Sequence, residues 1–477
     1  METANGKAGT SAGGLTDRAT LESLGQQRVT RRTLLKTAGA GLAGAALAPI
    51  YTGCVPGQVT GGGKTLSIMQ WNHFIPAYDD WFDKYAKEDW GPKNNVKVDV
   101  DHVQNLELPG RLAGEAAGRV GHDLIQFAQQ IQTFRYKDLL VDMSDVVNFA
   151  INKFGQPVKM AQDVGFLDGV WRGMPDFYII IAPMVRDDLL QAADPGNPIE
   201  TWEDVRAFAR KTKQKFGNKM AGLAISNCND ANHNWRAIMW SYGASEVAAD
   251  GKSVNVDTPE FKNFLEFSKA FFQEAITNEV FAWDDVSDNR YLGSGDGAFI
   301  HDAISSIRSI QDSGKDDPKR LDLYNSISLR KPLKGPAGVH TMPDVNLYSI
   351  WNFSKNQDIA KQFLKDYIAL GPKLMKESKG YNMPFYENLF QKPMAVIGEP
   401  DPPPLGKGDK KYDRLQDYKG AVVHTFGYPG PPNAPAQEVL AGYHIPAIVG
   451  QYVLGASLKD TLADAHRRLD PIYKKYK

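Results

Sequence analysis

The stretch TLSIMQWNHFIPAYDDWFDKYAKEDWGPKNNVKVDV, residues 65–100, decides the fold. Its first residues, 65–71, are an apolar strand candidate, and residues 77–89 have the pattern of a helix rich in aromatic side chains. Val96 and Val98 then alternate with charged residues, and an apolar residue at every second position is typical of a half-buried strand. The stretch therefore predicts a strand, a helix and a second strand in succession.

The alternation of strands and helices continues beyond this stretch. Residues 106–119 have the pattern of a helix, and residues 123–128 have that of a buried strand. Alternation at this spacing predicts an α/β fold in which a mostly parallel sheet is flanked by helices. The middle of the chain is more helical, and the predicted helix caps are Thr201, either Asp257 or Thr258, and Ser457. A chain of 477 residues is longer than a single hydrophobic core usually supports, so we expect two lobes.

The amino-terminal segment has the layout of an export signal rather than that of a folded element. In RVTRRTLLKTAGAGLAGAALAPIYTGC, residues 28–54, two adjacent arginines precede an uncharged run rich in Ala and Gly that ends on a cysteine. A membrane-spanning helix needs about 20 strongly apolar residues, whereas this run is only mildly apolar and contains Pro49. A basic start, an apolar middle and a small-residue exit are typical of a removable signal.

Two motifs within this segment resemble known processing signals. TRRTLLK resembles the bacterial twin-arginine signal, which implies that Arg31 and Arg32 direct export of a folded protein and that residues 1–53 are removed. YTGC resembles a lipoprotein processing site, which implies lipidation of Cys54, with residues 54–63 as a flexible tether. The alternatives are a chance arginine pair and a cysteine that receives no lipid.

The composition excludes several classes of partner and cofactor. The chain has a net charge of −1, and residues 1–53 contain six basic and three acidic side chains, so the remainder carries about −4. A weakly acidic surface argues against nucleic acid and anionic membranes, which attract concentrated Lys and Arg. Cys54 and Cys228 are the only cysteines, and no nucleotide-binding or metal-binding motif is present, so we expect no metal and no cofactor.

Five segments match a known family in their order along the chain. They are PIETWEDVRAFARKTK (198–213), MAGLAISNCNDANHNWRAIMWSYGA (220–244), GKSVNVDTPEFKNFLEFSKAFF (251–272), GSGDGAFIHD (293–302) and NLYSIWNFSKNQDIAKQFLKDYI (346–368). Together they resemble the extracellular solute-binding proteins of bacterial ABC importers, of the maltodextrin-binding type. The resemblance implies a type II-like periplasmic-binding-protein fold whose two lobes are joined by hinge crossings. It places lobe one at residues 64–180 plus 346–388 and lobe two at residues 183–342 plus 390–477.

The binding site is expected at the ends of the strands. In open parallel sheets, ligands bind beyond the carboxyl ends of the strands. Trp71, Asn72 and His73 follow the first predicted strand, and Gln129 and Gln130 follow the third. An indole face can stack on a sugar ring while planar amides bridge its hydroxyls, which is the combination a small-molecule cleft needs.

Further candidate ligand contacts lie near the predicted crossings and in the opposing lobe. They are Phe177, Tyr178, Trp235, His301, Asn346, Tyr348 and Tyr428. Each candidate has a structural alternative, because aromatic residues dominate cores and polar residues often satisfy backbone groups in turns. No candidate catalytic residue is assigned.

The sequence therefore predicts a periplasmic or extracytoplasmic binding protein that acts as a monomer. It would capture a sugar or polyol and deliver it to the permease subunits of an ABC importer, with no bond broken. The alternative is a twin-arginine-exported enzyme that acts on carbohydrate, because two carboxylates flanking a cleft suffice for that chemistry and Asp284 and Asp285 are among many acids. A surface scaffold is a third possibility.

Overall fold

Strands and helices alternate from the start of the folded region, as the sequence predicts. The computed structural model describes residues 63–128, 132–391, 393–398 and 411–476. Val96, Val98 and Val100 are buried while Lys97 and Asp99 are exposed, which confirms the predicted half-buried strand. Arg31, Arg32, Cys54, Gln129 and Gln130 lie outside the described residues.

The strands of the described residues have the following bounds in chain order. They are β1 (Lys64–Trp71), β2 (Val96–Val103), β3 (Leu124–Phe127), β4 (Phe166–Leu167), β5 (Val170–Trp171), β6 (Met174–Ile179), β7 (Ala182–Arg186), β8 (Met220–Gly222), β9 (Gly297–Asp302), β10 (Ile327–Leu329), β11 (Lys334–Gly335), β12 (Gly338–Val339), β13 (Asp344–Ile350) and β14 (Met383–Pro384).

The α-helices of the described residues have the following bounds in chain order. They are α1 (Pro76–Asp83), α2 (Gly91–Asn94), α3 (Leu108–Gly118), α4 (Thr133–Tyr136), α5 (Ser144–Phe154), α6 (Lys159–Gly165), α7 (Asp187–Ala193), α8 (Trp202–Phe216), α9 (Asn229–Ser241), α10 (Pro259–Ala275), α11 (Ser287–Gly293), α12 (Ser305–Ser313), α13 (Pro318–Ser326), α14 (Gln357–Ile368), α15 (Pro372–Glu377), α16 (Pro393–Ile397), α17 (Ala434–Ala441), α18 (His444–Val453) and α19 (Leu458–Lys475). A π-helical segment (Lys84–Trp90) and four 3-10 segments (Lys137–Leu139, Asn278–Ala282, Glu387–Leu389 and Tyr412–Tyr418) complete the helical structure of these residues.

Three helices begin at the capping residues that the sequence predicts. The Thr201 hydroxyl accepts a hydrogen bond from the Asp204 backbone N–H, and the Asp204 side chain accepts one from the Thr201 N–H in return. Thr258 and Ser457 cap α10 and α19, each with its hydroxyl accepting a hydrogen bond from a backbone N–H of the first turn. Among the described helices, none combines the length and the apolar character that a bilayer crossing requires.

Two mixed sheets form the two α/β lobes. The first sheet has the order β14-β6-β13-β3-β1-β2, and the second has the order β10-β7-β9-β8. In the first sheet β1, β2, β3 and β6 run in one direction, while β13 and β14 run against them. In the second sheet β8, β9 and β10 share one direction, and β7 opposes them. Each sheet is therefore parallel except where a strand enters from a crossing or lies at the edge.

A short crossing brings the carboxyl ends of both sets of strands to one gap. Only Ile180 and Ile181 separate β6 from β7, and both are buried. β6 ends at this crossing and β7 begins there. The strands of the first sheet that are parallel to β6, and the strands of the second sheet that are antiparallel to β7, therefore have their carboxyl ends on the side of the crossing. This edge is where α/β sheets bind ligands.

The second lobe has a tightly packed helical core. Every residue of α9 is buried, and α9 and α10 both pack against α18. Trp235, in the middle of α9, is fully buried, and its indole N–H donates to the backbone oxygen of Ala224 at 2.7 Å. The tryptophan thus fills the core and satisfies a backbone acceptor.

The first lobe contains a buried network of polar side chains beneath the sheet edge. The Tyr367 hydroxyl donates to Asp176 Oδ1 at 2.9 Å, and the Gln126 amide donates to Asp176 Oδ2 at 3.0 Å. The hydroxyls of Tyr78 and Tyr367 lie 2.5 Å apart. Burial raises the pKa of Asp176 to about 7, against the lowering effect of these hydrogen bonds. The network ties α1, α14, β3 and β6 together.

We predict that Trp235→Ala destabilises the protein strongly. Replacing a buried tryptophan by alanine costs about 3–5 kcal/mol through the lost contacts and the cavity left behind. Urea unfolding followed by circular dichroism measures the free energy of unfolding, and Phe149→Ala, at a partly exposed aromatic, serves as the control. A Trp235→Ala variant within about 1 kcal/mol of the wild type would contradict the core position.

We also predict that Asp176→Asn changes how stability depends on pH. Because the folded-state pKa of Asp176 lies above the ordinary value of about 4, the folded protein keeps a proton that the unfolded chain loses between these two values. The contribution of Asp176 to the free energy of unfolding should therefore fall by up to about 1.4 kcal/mol per pH unit as pH rises from 4 to 7, and the profile of Asp176→Asn should lack this contribution.

Urea titrations at several pH values between 4 and 8 test this expectation. Asp145→Asn is the matched control, because hydrogen bonds from Lys361 and Lys365 lower the pKa of that partly exposed carboxyl despite its partial burial. Because the pKa of Asp145 is lower in the folded protein than in the unfolded chain, Asp145→Asn should lose stability that the wild type has at pH values above the unfolded-state pKa of this group. Parallel stability profiles for the wild type and Asp176→Asn would refute the assignment.

Candidate functional site

His73 is the centre of the first-lobe wall of the gap. It lies two residues beyond β1, and its backbone N–H donates to Asp79 Oδ2 at 2.8 Å. Its Nδ1 accepts a hydrogen bond from the Ile75 N–H at 2.9 Å, so Nε2 carries the proton and donates to Asn382 Oδ1 at 2.7 Å. Burial lowers the pKa of His73 to about 4, so the ring is neutral at neutral pH.

Aromatic rings surround this histidine. The His73 ring centroid lies 4.5 Å from that of Tyr78, 4.9 Å from Tyr381, 5.2 Å from Trp71 and 5.9 Å from Phe177. Trp71 ends β1 and Phe177 lies on β6, so two strands of the first sheet and the segment before β14 contribute to one cluster. The structure therefore brings together the predicted candidates Trp71, His73 and Phe177.

Asn346 is a polar residue of this wall whose side chain makes no hydrogen bond. It is fully buried on β13, where it pairs with Phe177 of β6, and cross-strand partners present their side chains on the same face. Neither its side-chain oxygen nor its side-chain nitrogen makes a hydrogen bond. Most buried polar side chains are hydrogen-bonded, so an amide with both groups unpaired indicates a place for a ligand or water.

The second lobe contributes an acidic wall. Asp302 ends β9, Asp230 lies in the first turn of α9 and Asp288 in the first turn of α11, and all three are buried. Burial, followed by repulsion from the neighbouring carboxylates, raises the pKa of Asp230 and Asp288 well above the ordinary range. Burial raises that of Asp302 to about 7.

Tyr381 connects the two walls. Its ring packs against His73 in the first lobe, and its buried phenol lies close enough to Asp302 and Asp230 of the second lobe to interact with their charges. Burial and these carboxylates raise the pKa of Tyr381 well above its usual value, so the phenol keeps its proton as a hydrogen-bond donor. The aromatic cluster and the acidic wall thus belong to one site.

Hydrogen bonding also joins the lobes directly. The Asn105 amide, in the loop after β2, donates to Asp285 Oδ2 at 3.0 Å across the gap. A cavity of about 30 Å³ lies at this junction, between residues such as Leu108 and Tyr443. The structure is therefore a closed arrangement. A groove of about 900 Å³, lined by residues of both lobes such as Phe134 and Tyr476, includes neither His73 nor the acidic wall in its lining.

Three other first-lobe candidates lie close to the site without joining the cluster. Asn72 is half-buried, and its backbone N–H donates to Val103 at 2.9 Å. Tyr178 follows Phe177 on β6 and therefore faces the other side, where it packs on Phe385. The Tyr348 hydroxyl donates to Gln70 Oε1 at 2.7 Å within the lobe.

The second-lobe candidates lie apart from the His73 cluster. Trp235 occupies the core described above, and His301 Nδ1 lies 2.6 Å from Asn234 Oδ1 with its ring against Trp202. Tyr428 stacks on His424 at 3.4 Å, beside a cis bond to its following proline. Gln129 and Gln130, outside the described residues, stay predictions.

Several residues of the site were not among the sequence candidates. They are Asp230, Asp288, Asp302, Tyr381 and Asn382. Asp230 belongs to the polar run NDANHN, and Asp302 directly follows His301. Both residues therefore lie close in sequence to predicted ligand contacts. Tyr381 and Asn382 belong to YNMPFY, a segment that matches the family pattern only loosely.

Comparison with solved structures agrees with this architecture. A sugar transporter of Arthrobacter chlorophenolicus A6 with bound laminaribiose has a TM-score of 0.69 and 15% identity, over 85% of this chain and 99% of that chain. An ABC transporter solute-binding protein of Thermotoga lettingae TMO, bound with α-D-tagatose, has a TM-score of 0.68 and 17% identity, over 86% and 100%. Maltose-bound MalE3 of T. maritima has a TM-score of 0.67 and 14% identity, over 85% and 99%. These likenesses confirm the two-lobed fold.

Sequence comparison identifies the family. No curated protein sequence matches this chain. Residues 80–381 match the family model described as bacterial extracellular solute-binding protein, and this range covers more than half of the chain. With two lobes whose strand ends meet at a closed gap lined by unpaired polar groups, the chain belongs to the bacterial extracellular solute-binding protein family.

Proposed function

We propose that this protein is the substrate-binding component of an ABC importer, and that it captures a carbohydrate or polyol between its lobes for delivery to a membrane permease. The observation that carries the proposal is the Asn346 amide, which is fully buried at the gap with both polar atoms unpaired. A planar amide offers a donor and an acceptor side by side, and a hydroxyl can use either. A solute with adjacent hydroxyls fits that pair.

The surroundings of Asn346 support a hydroxyl-rich and non-anionic solute. Trp71, Phe177 and Tyr381 offer apolar ring surface, on which the C–H face of a sugar can stack. The buried carboxyl groups of the acidic wall can form hydrogen bonds with hydroxyls, and they offer no positive charge that would attract an anion. The similar solved structures described above contain laminaribiose, tagatose and maltose, which agrees with this class of ligand.

Capture would proceed by closure of the lobes. A solute that contacts both the His73 cluster and the acidic wall binds the closed state better than the open one, and it therefore shifts the population toward closure. We propose no chemical turnover. Enzymes that cleave sugars place two carboxyl groups on either side of the scissile bond, whereas Asp230, Asp288 and Asp302 all lie on one lobe.

The export route and the anchor belong to the same proposal. A solute-binding component has to meet its ligand outside the cytoplasm, and residues 28–54 have the layout of an export signal. We propose that Arg31 and Arg32 direct twin-arginine export, that Cys54 carries the lipid, and that the mature protein acts as a monomer in the periplasm, tethered to the membrane surface.

We predict that Asn346→Ala abolishes the thermal shift that a sugar or polyol produces. A ligand at 100 times its Kd should stabilise the wild type by about 2.7 kcal/mol. The variant loses the paired donor and acceptor, while its ligand-free midpoint should change little because neither amide atom has a hydrogen bond to lose. A thermal-shift screen of the exported protein against sugars and polyols measures both quantities.

Asn388→Ala is the matched control, because Asn388 is an exposed asparagine away from the gap. This control should keep the full ligand-induced shift. A ligand-induced thermal shift that persists in Asn346→Ala would contradict the assignment of Asn346 to the binding site. Chemical change of a sugar during incubation, followed by chromatography, would favour the enzyme alternative.

Cell fractionation tests the proposed export and anchoring. Replacing Arg31 and Arg32 together by Lys should hold the protein in the cytoplasm, because twin-arginine signals depend on the arginine pair. Cys54→Ser should still be exported but should move from the detergent phase to the aqueous phase. Cys228→Ser, at the buried cysteine, is the control and should partition like the wild type. Unchanged partitioning of Cys54→Ser would exclude the anchor.

A further inference from the structure

Three buried carboxylates meet at the second-lobe wall of the gap. Asp230, Asp288 and Asp302 each offer one oxygen, and these oxygens all lie within 4.8 Å of one another. The residues are 8%, 3% and 4% exposed, respectively, so water screens them poorly. Isolated buried carboxylates are strongly unfavourable unless they are paired or coordinate a cation.

The cluster is fixed by packing rather than by one flexible loop. Its members come from α9, α11 and the last residue of β9, and α11 packs directly on β9. The start of α9 is held by Asp285, whose Oδ1 accepts a hydrogen bond from the Asn229 backbone N–H at 2.6 Å. Three separate elements thus present their carboxylates to one point.

No basic side chain of the described residues compensates this cluster. None of the ion pairs within 63–128, 132–391, 393–398 and 411–476 involves Asp230, Asp288 or Asp302. Elsewhere in the same lobe a buried acid is compensated, because Glu246 pairs with the guanidinium of Arg236 at 3.2 Å. The cluster therefore differs from an ordinary buried ion pair.

Polar atoms of the cluster, and one hydroxyl near it, are left without well-formed hydrogen bonds. Asp230 Oδ2 and Asp302 Oδ2 are buried and accept no hydrogen bond. Ser305 is 2% exposed and its hydroxyl lacks a well-formed hydrogen bond; it lies beside Tyr381, whose phenol is near enough to Asp302 and Asp230 to interact with their charges. The Ser305 hydroxyl is thus a neutral oxygen beside the carboxyl cluster.

The donor set selects the kind of cation. Carboxylate, hydroxyl and amide oxygens are the ligands of hard cations such as Ca²⁺, Mg²⁺ and Mn²⁺. Oxygens bonded to one Ca²⁺ at about 2.4 Å lie at most about 4.8 Å apart, and the three carboxyl oxygens lie within that limit of one another. The nearby Asp285 is already engaged by Asn229 and Asn105, so it is the less available carboxylate.

We infer that Asp230, Asp288 and Asp302 hold a divalent cation with oxygen ligands, Ca²⁺ foremost, in the second-lobe wall of the gap. The inference concerns the cation alone and does not depend on which solute the protein carries. The cation would lie opposite Tyr381 and would neutralise the acidic wall at the place where the lobes meet.

Titration of the EDTA-treated exported protein with CaCl₂, in the absence of any sugar, tests the site. Calorimetry should show one ion per chain, and the thermal midpoint should rise with Ca²⁺ concentration. Asp302→Asn and Asp288→Asn should each weaken Ca²⁺ binding at least tenfold. Asp284→Asn, at a partly exposed acid that pairs with Arg290, should bind Ca²⁺ like the wild type.

The variants are expected to fold, because asparagine removes repulsion between like charges at nearly constant volume. Their midpoints without Ca²⁺ should be equal to or above that of the wild type, and Tb³⁺ luminescence of the wild type that Ca²⁺ displaces gives a second readout. Absence of saturable binding of Ca²⁺, Mg²⁺ or Mn²⁺ would overturn the inference. So would equal affinity in Asp302→Asn, or stabilisation by an organic amine such as glucosamine but by none of the metals.

Discussion

The crossing through Ile180 and Ile181 is the constraint on which the rest of the structure depends. Because only these two buried residues separate β6 from β7, the first sheet has to end where the second begins. Strands that run with β6 and strands that run against β7 consequently end at one gap. The return strand β13 runs antiparallel to its neighbours for the same reason, since it starts from the gap. Side chains from separate parts of the chain thus meet at the gap without any long loop.

The two walls differ in how their buried polar groups are satisfied. Under the first wall, both oxygens of Asp176 have partners, because they accept hydrogen bonds from Tyr367 and Gln126. In the second wall, Asp230 and Asp302 each keep an oxygen without a partner. An unsatisfied buried polar group costs about 1–3 kcal/mol, and a ligand that supplies the missing partner recovers that free energy on binding. The compensated network fixes the geometry, and the uncompensated groups are free to bind.

The sequence predicts the parts of this molecule that depend on local pattern. Alternation at Val96 and Val98 and the cap at Thr201 are local features, and both are present in the structure. The acidic wall depends on tertiary structure instead. All residues of β9 are buried, so no alternation tells whether His301 or Asp302 faces the gap, and only the register with β7 decides. Neighbouring strand residues face opposite sides, which is why the imidazole bonds within the lobe while the carboxylate joins the cluster.

Asp285 couples closure of the lobes to the shape of the site. One of its oxygens accepts a hydrogen bond from Asn105 of the other lobe, while the other accepts one from the Asn229 N–H at the start of α9. Asp230 is the next residue of that helix. The Asp285 carboxylate, which bonds to the opposite lobe, therefore also fixes the helix terminus that carries Asp230 of the acidic wall. The oxygen bonded to Asn105, Oδ2, also accepts a hydrogen bond from the Asn229 side chain at 2.9 Å, so opening the gap removes one of its two partners. Because the same carboxylate holds the α9 terminus and contacts the other lobe, binding at the wall and contact between the lobes should stabilise each other.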